Sequence, residues 1–430
     1  MDAPLAQNRE QGGDRSSVGT PSFLFIASDW RGVMLGTGVG AYIDSLAQGL
    51  MSLGSTVKML AVLRPYEEEL TGFLEKHRPW VIPFQVMHDR KPENWLGRKC
   101  VSVLEILRCL SPNSRRVLEG AHFFPASTAS IARLERLLSM EKPTVVVFVH
   151  LDVKLYALAL SLLEQQQPYV IIAHGRDVGR LPNYETSDLV RRGVMLKGAS
   201  WIAANSRHTK SLLEPWRVPS ERVKILHPPI SEEAIRESVV FRPASRDDGD
   251  LSLVTICRLD KGKGIDVVMR ALKILAAGGI PFHYTIGGDG SERKVLEALV
   301  DELGLRDKVH FKGTVEGEEK WHLLRNSDVF IMPSREEGFG IAFIEAAAFG
   351  VPAVGSRTGG IPDAVVDGQT GILVPEDTAE GLADALTFLY RKPQIRKQMG
   401  RAAGERARTQ FSPITIAARF REEASSSVRH

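Results

Sequence analysis

The stretch that decides the fold is PSREEGFGIAFIEAAAFGVPAVGSRTGG, residues 333–360. Two of its carboxylates, Glu337 and Glu345, have seven residues between them and flank a Gly-Phe-Gly turn that leads into a helical pattern. A glycine-rich turn at the start of a helix leaves backbone N–H groups unpaired at the positive end of the helix dipole. The stretch therefore predicts a site for a diphosphate group, with carboxylates beside it that can accept hydrogen bonds from hydroxyl groups.

The helix that this pattern predicts from about Ile341 also determines where Glu345 points. At about 100° per residue, Ile344, Glu345 and Ala348 share an arc with Ile341, so the Glu345 carboxylate lies in an apolar stripe that faces the protein body. A buried carboxylate needs hydrogen-bond partners. These partners are either structural, such as a backbone N–H or an arginine, or the hydroxyl groups of a ligand. Glu337 precedes the helix and, on its own, is typical of a solvated loop.

The segment resembles the donor-sugar signature of retaining glycosyltransferases of the family 4, or group 1, type. The resemblance implies an enzyme that moves a hexose-type sugar from a nucleotide-diphosphate donor to a hydroxyl of a glycan, a lipid-linked molecule or a small molecule. It implies that Glu337 contacts the donor sugar and that Glu345 accepts hydrogen bonds from the ribose hydroxyls. It extends over roughly residues 21–425, densely in the second half and thinly over residues 64–140.

Length and composition are typical of a globular protein with two domains. The chain has 430 residues, of which 43% are hydrophobic and 25% charged, and this length fits two domains of roughly 200 residues each. No apolar run reaches the roughly 18–20 residues that a membrane-spanning helix needs. A net charge of +3 is too small to indicate a nucleic-acid partner.

The N-terminus and the cysteines predict the compartment. The first residues lack the apolar core of a signal peptide, and the three cysteines have no metal-ligand spacing, which favours a reducing, cytoplasmic environment. Aromatic and basic residues in RKPENWLGRKC (90–100) are compatible with an acceptor site or with peripheral contact at the inner face of a membrane. A solvated loop is the default interpretation of that segment.

Short apolar or β-branched runs alternate with helical patterns along the whole chain. This alternation predicts an α/β protein with parallel sheets that are covered on both faces, in two Rossmann-like doubly wound domains with a cleft between them. The resemblance implies that these domains face each other as in the GT-B fold. The predicted strands are 23–27, 57–63, 144–150, 169–175 and 201–206, then 251–259, 282–290, 309–313, 327–334, 351–356 and 371–376.

The domain boundaries follow from the polar segments and prolines. Residues 1–20 are predicted to be a disordered lead-in, and residues 21–228 and 229–410 two Rossmann-like domains. The resemblance implies that the first of these domains binds the acceptor and the second the donor. Residues 411–430 form a final helix, for which Pro413 suits the first turn. The resemblance implies that this helix returns to the first domain.

Two cations follow the first predicted strand of the second domain. Arg258 and Lys263 stand between that strand and a helix, where they are well placed to neutralise a diphosphate. Either residue alone is typical of a solvated surface charge. The resemblance implies that both bind the donor phosphates and stabilise the leaving group, and Gly264 identifies Lys263, rather than Lys261, as the matching lysine.

In the first half, a histidine and a glycine-rich turn are the main candidates. His174 ends a predicted central strand, which places it at the cleft, and the resemblance implies that it contacts the donor sugar. A structural histidine is the alternative. His150 has the same strand-end position and could face the acceptor. The spacing Gly36-x-Gly38-x-Gly40 does not match a dinucleotide fingerprint. The resemblance implies that this loop, with Gly38 and Gly40, lies over the donor phosphate and the acceptor pocket, and a tight strand–helix turn is the alternative.

The remaining candidates form the predicted walls of the donor site. Catalytic roles are predicted for His174, Arg258, Lys263 and Glu337, and donor binding for Gly38, Gly40, Gly288, Val315, Gly338, Phe339, Gly340, Ile341 and Glu345. The acidic run at 247–250 lies off any strand end and reads as a solvated loop. We expect no metal and no cofactor besides the nucleotide sugar as co-substrate, because the cations and helix dipoles can supply the positive charge.

Three other functions share the predicted architecture. A sugar phosphorylase would need phosphate and no nucleotide, and a sugar-nucleotide epimerase would convert the donor without an acceptor. A non-catalytic partner subunit would have lost site residues, and all the catalytic candidates are present here. The two carboxylates do not form the close pair of a retaining hydrolase, so no protein nucleophile is predicted.

Overall fold

The structure of the protein, a computed structural model, describes residues 20–27, 38–63, 81–85, 136, 138–179, 186–240 and 249–427. Several predictions lie outside the described residues. They concern nearly all of the N-terminal lead-in, the part of the glycine-rich turn that contains Gly36, the segment 90–100, two of the three cysteines and most of the acidic run at 247–250.

The first of two sheets in the described chain has seven parallel strands. In spatial order they run β3-β2-β1-β4-β5-β6-β7. The order reverses between β1 and β4, which is the topological switch point of a doubly wound sheet. The strands are β1 Ser22–Ala27, β2 Thr56–Leu63, β3 Val81–Gln85, β4 Val145–Phe148, β5 Tyr169–Ala173, β6 Trp201–Ala204 and β7 Val223–Ile225.

The second sheet repeats the arrangement with six described parallel strands, in the order β10-β9-β8-β11-β12-β13. Its switch point lies between β8 and β11. The strands are β8 Leu251–Ile256, β9 Phe282–Gly287, β10 Val309–Gly313, β11 Val329–Met332, β12 Ala353–Ser356 and β13 Gly371–Val374.

Helices pack on both faces of the sheets because the strands are apolar on both sides. In the first half the described helices are α1 Gly38–Ser52, α2 Tyr156–Glu164, α3 Thr186–Gly198 and α4 Arg207–Leu212. In the second half they are α5 Glu232–Val240, α6 Ile265–Ala277, α7 Arg293–Glu302, α8 Gly317–Arg325, α9 Ile341–Ala348, α10 Ile361–Ala364, α11 Ala379–Arg391, α12 Pro393–Gln410 and α13 Pro413–Ser427. The predicted α/β class with two Rossmann-like domains is confirmed. The exact domain boundaries stay a prediction.

The last helix belongs to the core of the first sheet. On α13, the Phe420 ring lies 5.7 Å from Phe23 and 5.1 Å from Trp201, centroid to centroid. Gly49 of α1 lets the two helices approach, since a Cβ there would overlap the carbonyl oxygen of Pro413. The C-terminal helix therefore crosses back to the first domain, as predicted.

The two halves are also joined through the second domain's Asp363. Its carboxylate, on a side chain that is 5% exposed, accepts hydrogen bonds from the backbone N–H and the guanidinium of Arg207 at the start of α4. His227 Nε2 lies 3.8 Å from the same carboxylate. These contacts fix the second sheet against the first beside the cleft. No helix of the described chain is long and apolar enough to span a bilayer.

Candidate active site

The candidate residues lie where parallel strands end. Arg258 and Lys263 follow β8 and Glu337 follows β11, so they flank the switch point of the second sheet. His174 follows β5 of the first sheet. Since ligands of doubly wound sheets bind outside the carboxyl ends of the strands at such a point, the fold directs these side chains to one cleft.

Lys263 and Glu337 form an ion pair at the centre of the site. Lys263 Nζ lies 2.8 Å from Glu337 Oε2, with the side chains 20% and 15% exposed. The loops that carry them are in close contact, because a Cβ on Gly264 would overlap the carbonyl oxygen of Pro333. The result is a cation and a carboxylate on two neighbouring strand ends, both shielded from much of the solvent.

Arg335 holds these two loops together. Its guanidinium donates to the carbonyl oxygen of Lys261 at 2.7 Å and makes two hydrogen bonds of 3.0 Å to Asp266. Its backbone N–H donates to the carbonyl oxygen of Gly262 at 2.8 Å. Arg335 thus fixes the distance between the loop of Lys263 and the loop of Glu337 without entering the ion pair itself.

The charge state of this region follows from burial and pairing. Burial lowers the pKa of Lys263, but the charge of Glu337 and the hydrogen bond to it raise that pKa more strongly, so the net pKa is above its ordinary value. Lys263 is therefore a permanent cation. Burial raises the pKa of the nearby Cys257 thiol to about 12. Cys257 consequently stays a thiol at neutral pH and is a poor nucleophile.

Arg258 faces a different side of the same loop. Its side chain is 68% exposed, and its Nε donates to Asp260 Oδ2 at 3.1 Å. It borders an open groove of about 420 Å³, a size typical of small-molecule sites. The groove is lined by Arg176, Arg258, Leu259, Asp260, Lys261, Gly262 and Ser291. Arg258 and Lys263 therefore lie on one loop, but each side chain pairs with a different carboxylate, Asp260 and Glu337 respectively.

The Gly-Phe-Gly turn opens α9 as predicted. Gly340 is the N-cap residue with φ 92°, a conformation that favours glycine, and it has no side chain to cover the N–H groups at this helix end. Phe339 is buried, with its ring 5.3 Å from His227 and 5.6 Å from Phe411, centroid to centroid. These rings support the turn from behind, so the helix N-terminus stays available to an anion.

The first domain touches this turn directly. A Cβ on Gly338 would overlap the carbonyl oxygen of His174, and one on Gly175 would lie 3.4 Å from the Gly338 Cα. On α1, a Cβ on Gly38 would lie 3.4 Å from Ile341 Cδ1. The strand-end histidine of one sheet and the helix N-terminus of the other therefore meet across the cleft.

The His174 imidazole is held in one tautomer. Its Nε2 lies 2.7 Å from the carbonyl oxygen of Val149, and a carbonyl can only accept, so Nε2 carries the proton. Burial lowers the pKa of His174, although the charge of Asp177 opposes this effect. The ring is then neutral at physiological pH, and Nδ1 is left as a hydrogen-bond acceptor.

Asp177 and Arg192 fix the loop around His174. Asp177 accepts from the backbone N–H of His174 at 2.9 Å and from that of Leu151 at 3.2 Å. The buried Arg192 donates to the carbonyl oxygens of Leu151 at 3.1 Å and Asp177 at 2.6 Å. The loops after β4 and β5 are thereby tied together, which fixes the position of the imidazole.

Glu345 is buried on α9, in agreement with the helical phase. Its side chain is 7% exposed, and Oε1 lies 2.6 Å from Lys320 Nζ of α8. The structural partner is therefore a lysine from another helix, and not the backbone N–H or arginine considered from the sequence. Sequence reasoning missed Lys320 because a charged pair 25 residues apart leaves no local pattern.

Gly288, Val315 and Gly40 have structural positions of their own. A Cβ on Gly288 would overlap the carbonyl oxygen of Cys257, and the buried Val315 would lie 2.5 Å from a Cβ on Gly287. These contacts form the wall next to the Arg258 loop. Gly40 is buried in the first turn of α1. Within the described chain, no group of three or more His, Cys, Asp or Glu could hold a metal ion.

Some polar residues of the site left little trace in the sequence. The network of Asp177 and Arg192, the brace of Arg335 and the contact of Asp363 with Arg207 all join residues far apart in the chain. Only Asp177 had a local signal, through its place in His-Gly-x-Asp. The sequence thus predicted the groups that face the cleft better than the groups that support them.

Two family models match almost consecutive parts of the chain. The model described as Glycosyl transferases group 1 matches residues 239–406, and that described as Glycosyltransferase Family 4 matches residues 36–234. The matches divide the chain close to the link between the two sheets. Each sheet, with its helices, therefore resembles a separate known unit.

Named relatives and a solved structure agree with these matches. The chain is 28% identical over 385 residues to D-inositol 3-phosphate glycosyltransferase of Arthrobacter sp. (strain FB24), covering 85% of each chain. It is 30% identical over 266 residues to GDP-mannose-dependent alpha-(1-6)-phosphatidylinositol monomannoside mannosyltransferase of Mycolicibacterium smegmatis, covering 59% of this chain and 69% of the relative. Anabaena Alr3699/HepE in complex with UDP and glucose has a TM-score of 0.67 at 18% identity, over 94% of this chain and 100% of that one.

Proposed function

Because this chain belongs to the group 1 glycosyltransferases of the GT-B fold, we propose that it is a retaining enzyme that moves a hexose-type sugar from a nucleotide-diphosphate donor to an acceptor hydroxyl. One observation carries the proposal. The His174–Gly175 loop of the first domain packs on Gly338, beside the Lys263–Glu337 pair. This contact brings the neutral His174, the half-buried Lys263 and the N-terminus of α9 together at the cleft.

The donor binds mainly to the second domain. Lys263, Arg258 and the N–H groups at the start of α9 take the diphosphate, and Glu345 takes the ribose hydroxyls. Glu337 and His174 Nδ1 accept hydrogen bonds from the sugar. A GDP-mannose-dependent enzyme among the relatives, and UDP with glucose in a structural neighbour, support a nucleotide sugar as the donor class.

Charge stabilisation on the leaving phosphate drives the reaction. As the bond between sugar and diphosphate breaks, negative charge grows on the phosphate next to Lys263 and the helix N-terminus. Preorganised groups of this kind stabilise such charge most effectively in a shielded site. The acceptor hydroxyl attacks from the side on which the phosphate leaves, and a phosphate oxygen takes its proton. The reaction then needs neither a protein nucleophile nor a metal ion.

The acceptor binds on the first domain, across the cleft from the donor phosphates. The inositol phosphate and phosphatidylinositol mannoside named for the relatives support a hydroxyl-rich acceptor. A glycan, a lipid-linked molecule and a small molecule all meet this description. The class of acceptor is therefore proposed only as a carrier of sugar-like hydroxyl groups.

A thermal-shift screen tests this function first. UDP, GDP, ADP and their common sugar conjugates are added separately, each with and without EDTA. We expect one nucleotide to stabilise the protein in both conditions. Stabilisation that EDTA abolishes would contradict metal independence. Stabilisation by phosphate or free sugar alone, with no nucleotide effect, would replace the transferase with a phosphorylase.

Product analysis then separates the transferase from an epimerase. The donor that stabilises the protein is incubated alone and with a panel of hydroxyl acceptors. A transferase releases the nucleoside diphosphate in step with a glycosylated acceptor that keeps the anomeric configuration. Conversion of the donor to another nucleotide sugar without any acceptor would overturn the proposal.

A further inference from the structure

The Lys320–Glu345 pair is placed next to the proposed nucleotide site. Lys320 lies in the first turn of α8, five residues after Val315, and Glu345 lies on α9 five residues after Gly340. The 2.6 Å distance joins Lys320 Nζ to Glu345 Oε1. A cation from one helix is thus paired with a carboxylate from another, the one to which the proposed function assigns the ribose.

The lysine is held from a second direction. Its Nζ lies 4.7 Å from the centroid of the Trp321 ring, which attracts a cation over its face. Trp321 in turn stacks on Phe349, with centroids 5.6 Å apart and an angle of 22° between the planes. Phe349 is the C-cap residue of α9. The stack therefore fixes α8 to the helix that carries Glu345. Lys320, at 20% side-chain exposure, cannot sample the range of positions open to a surface lysine.

The fixed position of Lys320 determines the orientation of the Glu345 carboxylate. Oε1 is taken by Lys320, and Oε2 has no hydrogen-bond partner among the described residues. A carboxylate accepts hydrogen bonds at both oxygens, and one that is only 7% exposed needs a cation to offset its loss of hydration. Lys320 therefore both offsets this cost and fixes the rotation of the carboxylate, leaving one oxygen for a ligand.

We propose that Lys320 is a positioning residue for the nucleotide, which turns Glu345 so that Oε2 accepts a ribose hydroxyl. The inference rests on the proposed function, in which Glu345 binds the ribose. It adds that the ribose interaction depends on a side chain that does not touch the ligand. A change at Lys320 should then affect ribose recognition and leave diphosphate recognition intact.

The test measures ribose recognition directly. Isothermal titration calorimetry compares a nucleoside diphosphate with its 2′,3′-dideoxy analogue, using both UDP and GDP. In Lys320→Met, which keeps the stem on Trp321, we expect about tenfold weaker binding of the ribose form, the scale of one hydrogen bond to a charged group. We expect unchanged binding of the dideoxy form. Lys320→Arg should restore most of the loss.

Two controls make the result specific. Lys58→Met removes another lysine–glutamate pair of 2.6 Å, Lys58–Glu141 in the first domain, and should leave nucleotide binding unchanged. Glu345→Ala should lose the preference for ribose over dideoxyribose. If Lys320→Met does not fold, Lys320→Gln, which keeps a hydrogen-bond donor without the charge, takes its place in the same comparison.

The outcomes separate the inference from the function on which it rests. If Glu345→Ala keeps the full preference for ribose, the ribose role of Glu345 is wrong and the proposed donor site fails with it. If Glu345→Ala loses that preference and Lys320→Met or Lys320→Gln keeps it, only the positioning role is overturned. Tighter binding of the ribose form to Lys320→Met would show that the lysine competes with the ribose, which also overturns the inference.

Discussion

The two sheets share their strand order but present polar groups in different ways. In the second domain, lysine–carboxylate ion pairs define the cleft, at 2.8 Å for Lys263–Glu337 and 2.6 Å for Lys320–Glu345. In the first domain, a neutral histidine is oriented by the carbonyl oxygen of Val149. One topology therefore presents lysine–carboxylate pairs in the second domain and a neutral imidazole in the first, with the first domain's Arg176 at the rim of the groove beside Arg258.

Substitution of Lys263 in the second domain should have the largest effect on turnover. We expect Lys263→Ala to lower turnover by about 10²-fold or more, because it removes a half-buried cation from the developing charge of the leaving phosphate. Steady-state kinetics with the donor identified by thermal shift measure this effect. The matched control is Lys261→Ala on the same loop, which should have a much smaller effect. A near-normal kcat/KM for Lys263→Ala would remove Lys263 from the mechanism.

Substitution of Gly338, at the contact between the two domains, should have the second-largest effect on turnover. In Gly338→Ala the new methyl group overlaps the carbonyl oxygen of His174, so the two loops must separate. Displacement of reacting groups by an ångström lowers turnover by about 10- to 100-fold, and we expect a loss in that range with a normal melting temperature. Gly249→Ala, where a Cβ meets nothing within 4 Å, is the control. Unchanged turnover in Gly338→Ala would show that the loops act independently.

Substitution of His174 in the first domain should have a smaller effect on the rate of transfer. His174→Ala removes one neutral hydrogen-bond acceptor from the sugar, worth about 1 kcal/mol, and we expect roughly fivefold slower transfer. The affinity for the nucleoside diphosphate without its sugar should not change, and calorimetry checks this. A large loss of that affinity would place His174 at the phosphates. It would contradict the proposal that the second domain binds the diphosphate and His174 contacts the sugar.

The smallest effect concerns the contact of Asp363 with Arg207 that holds the two sides together. Burial raises the pKa of Asp363, but the His227 imidazole and the hydrogen bonds from Arg207 lower it more, so the net pKa is below the ordinary 3.8. A carboxyl group with a lowered pKa stabilises the folded state above its unfolded pKa, and this stabilisation is lost as the pH falls through the folded pKa. We expect Asp363→Asn to lower the melting temperature by about 2–4 °C at pH 7.

Thermal unfolding between pH 7 and pH 3 measures this contribution. The difference between wild type and Asp363→Asn should shrink as the pH falls below about 4, where Asp363 of the unfolded chain becomes protonated, and should vanish below the lowered folded pKa. Asp250→Asn, at an exposed position, should show no such trend. A difference that stays constant over the whole range would mean that the charge of Asp363 does not stabilise the fold.

The positions of the candidate residues at strand ends were predictable from the sequence, whereas two edge strands were not. The eleven predicted strands are all present, but β3 and β7 within the described residues were missed. β3 contains Pro83, which cannot donate to a neighbouring strand and is therefore tolerated at an edge. β7 has only three residues. Both lie at the borders of the first sheet, and the proline in β3 and the short length of β7 weaken the strand pattern in the sequence.

The candidate site was predictable where spacing within one segment carries the information. The burial of Glu345 followed from the helical phase of α9, because Ile344 and Ala348 flank it on the same face. The partner of Glu345 did not follow, since Lys320 lies on another helix and the pairing depends on how α8 and α9 pack. The same limit applies to Arg192 and Asp363, whose roles exist only in the tertiary structure.

The return of α13 to the first domain has a consequence for the order of synthesis. Residues Ser22–Ala27 are translated about 400 residues before Phe420, yet Phe420 packs on Phe23 and Trp201. Throughout elongation, the nascent first domain exposes an apolar surface to chaperones and to other chains. A ribosome that stalls before α13 would release a product in which both sheets can form but one remains uncovered and prone to aggregation.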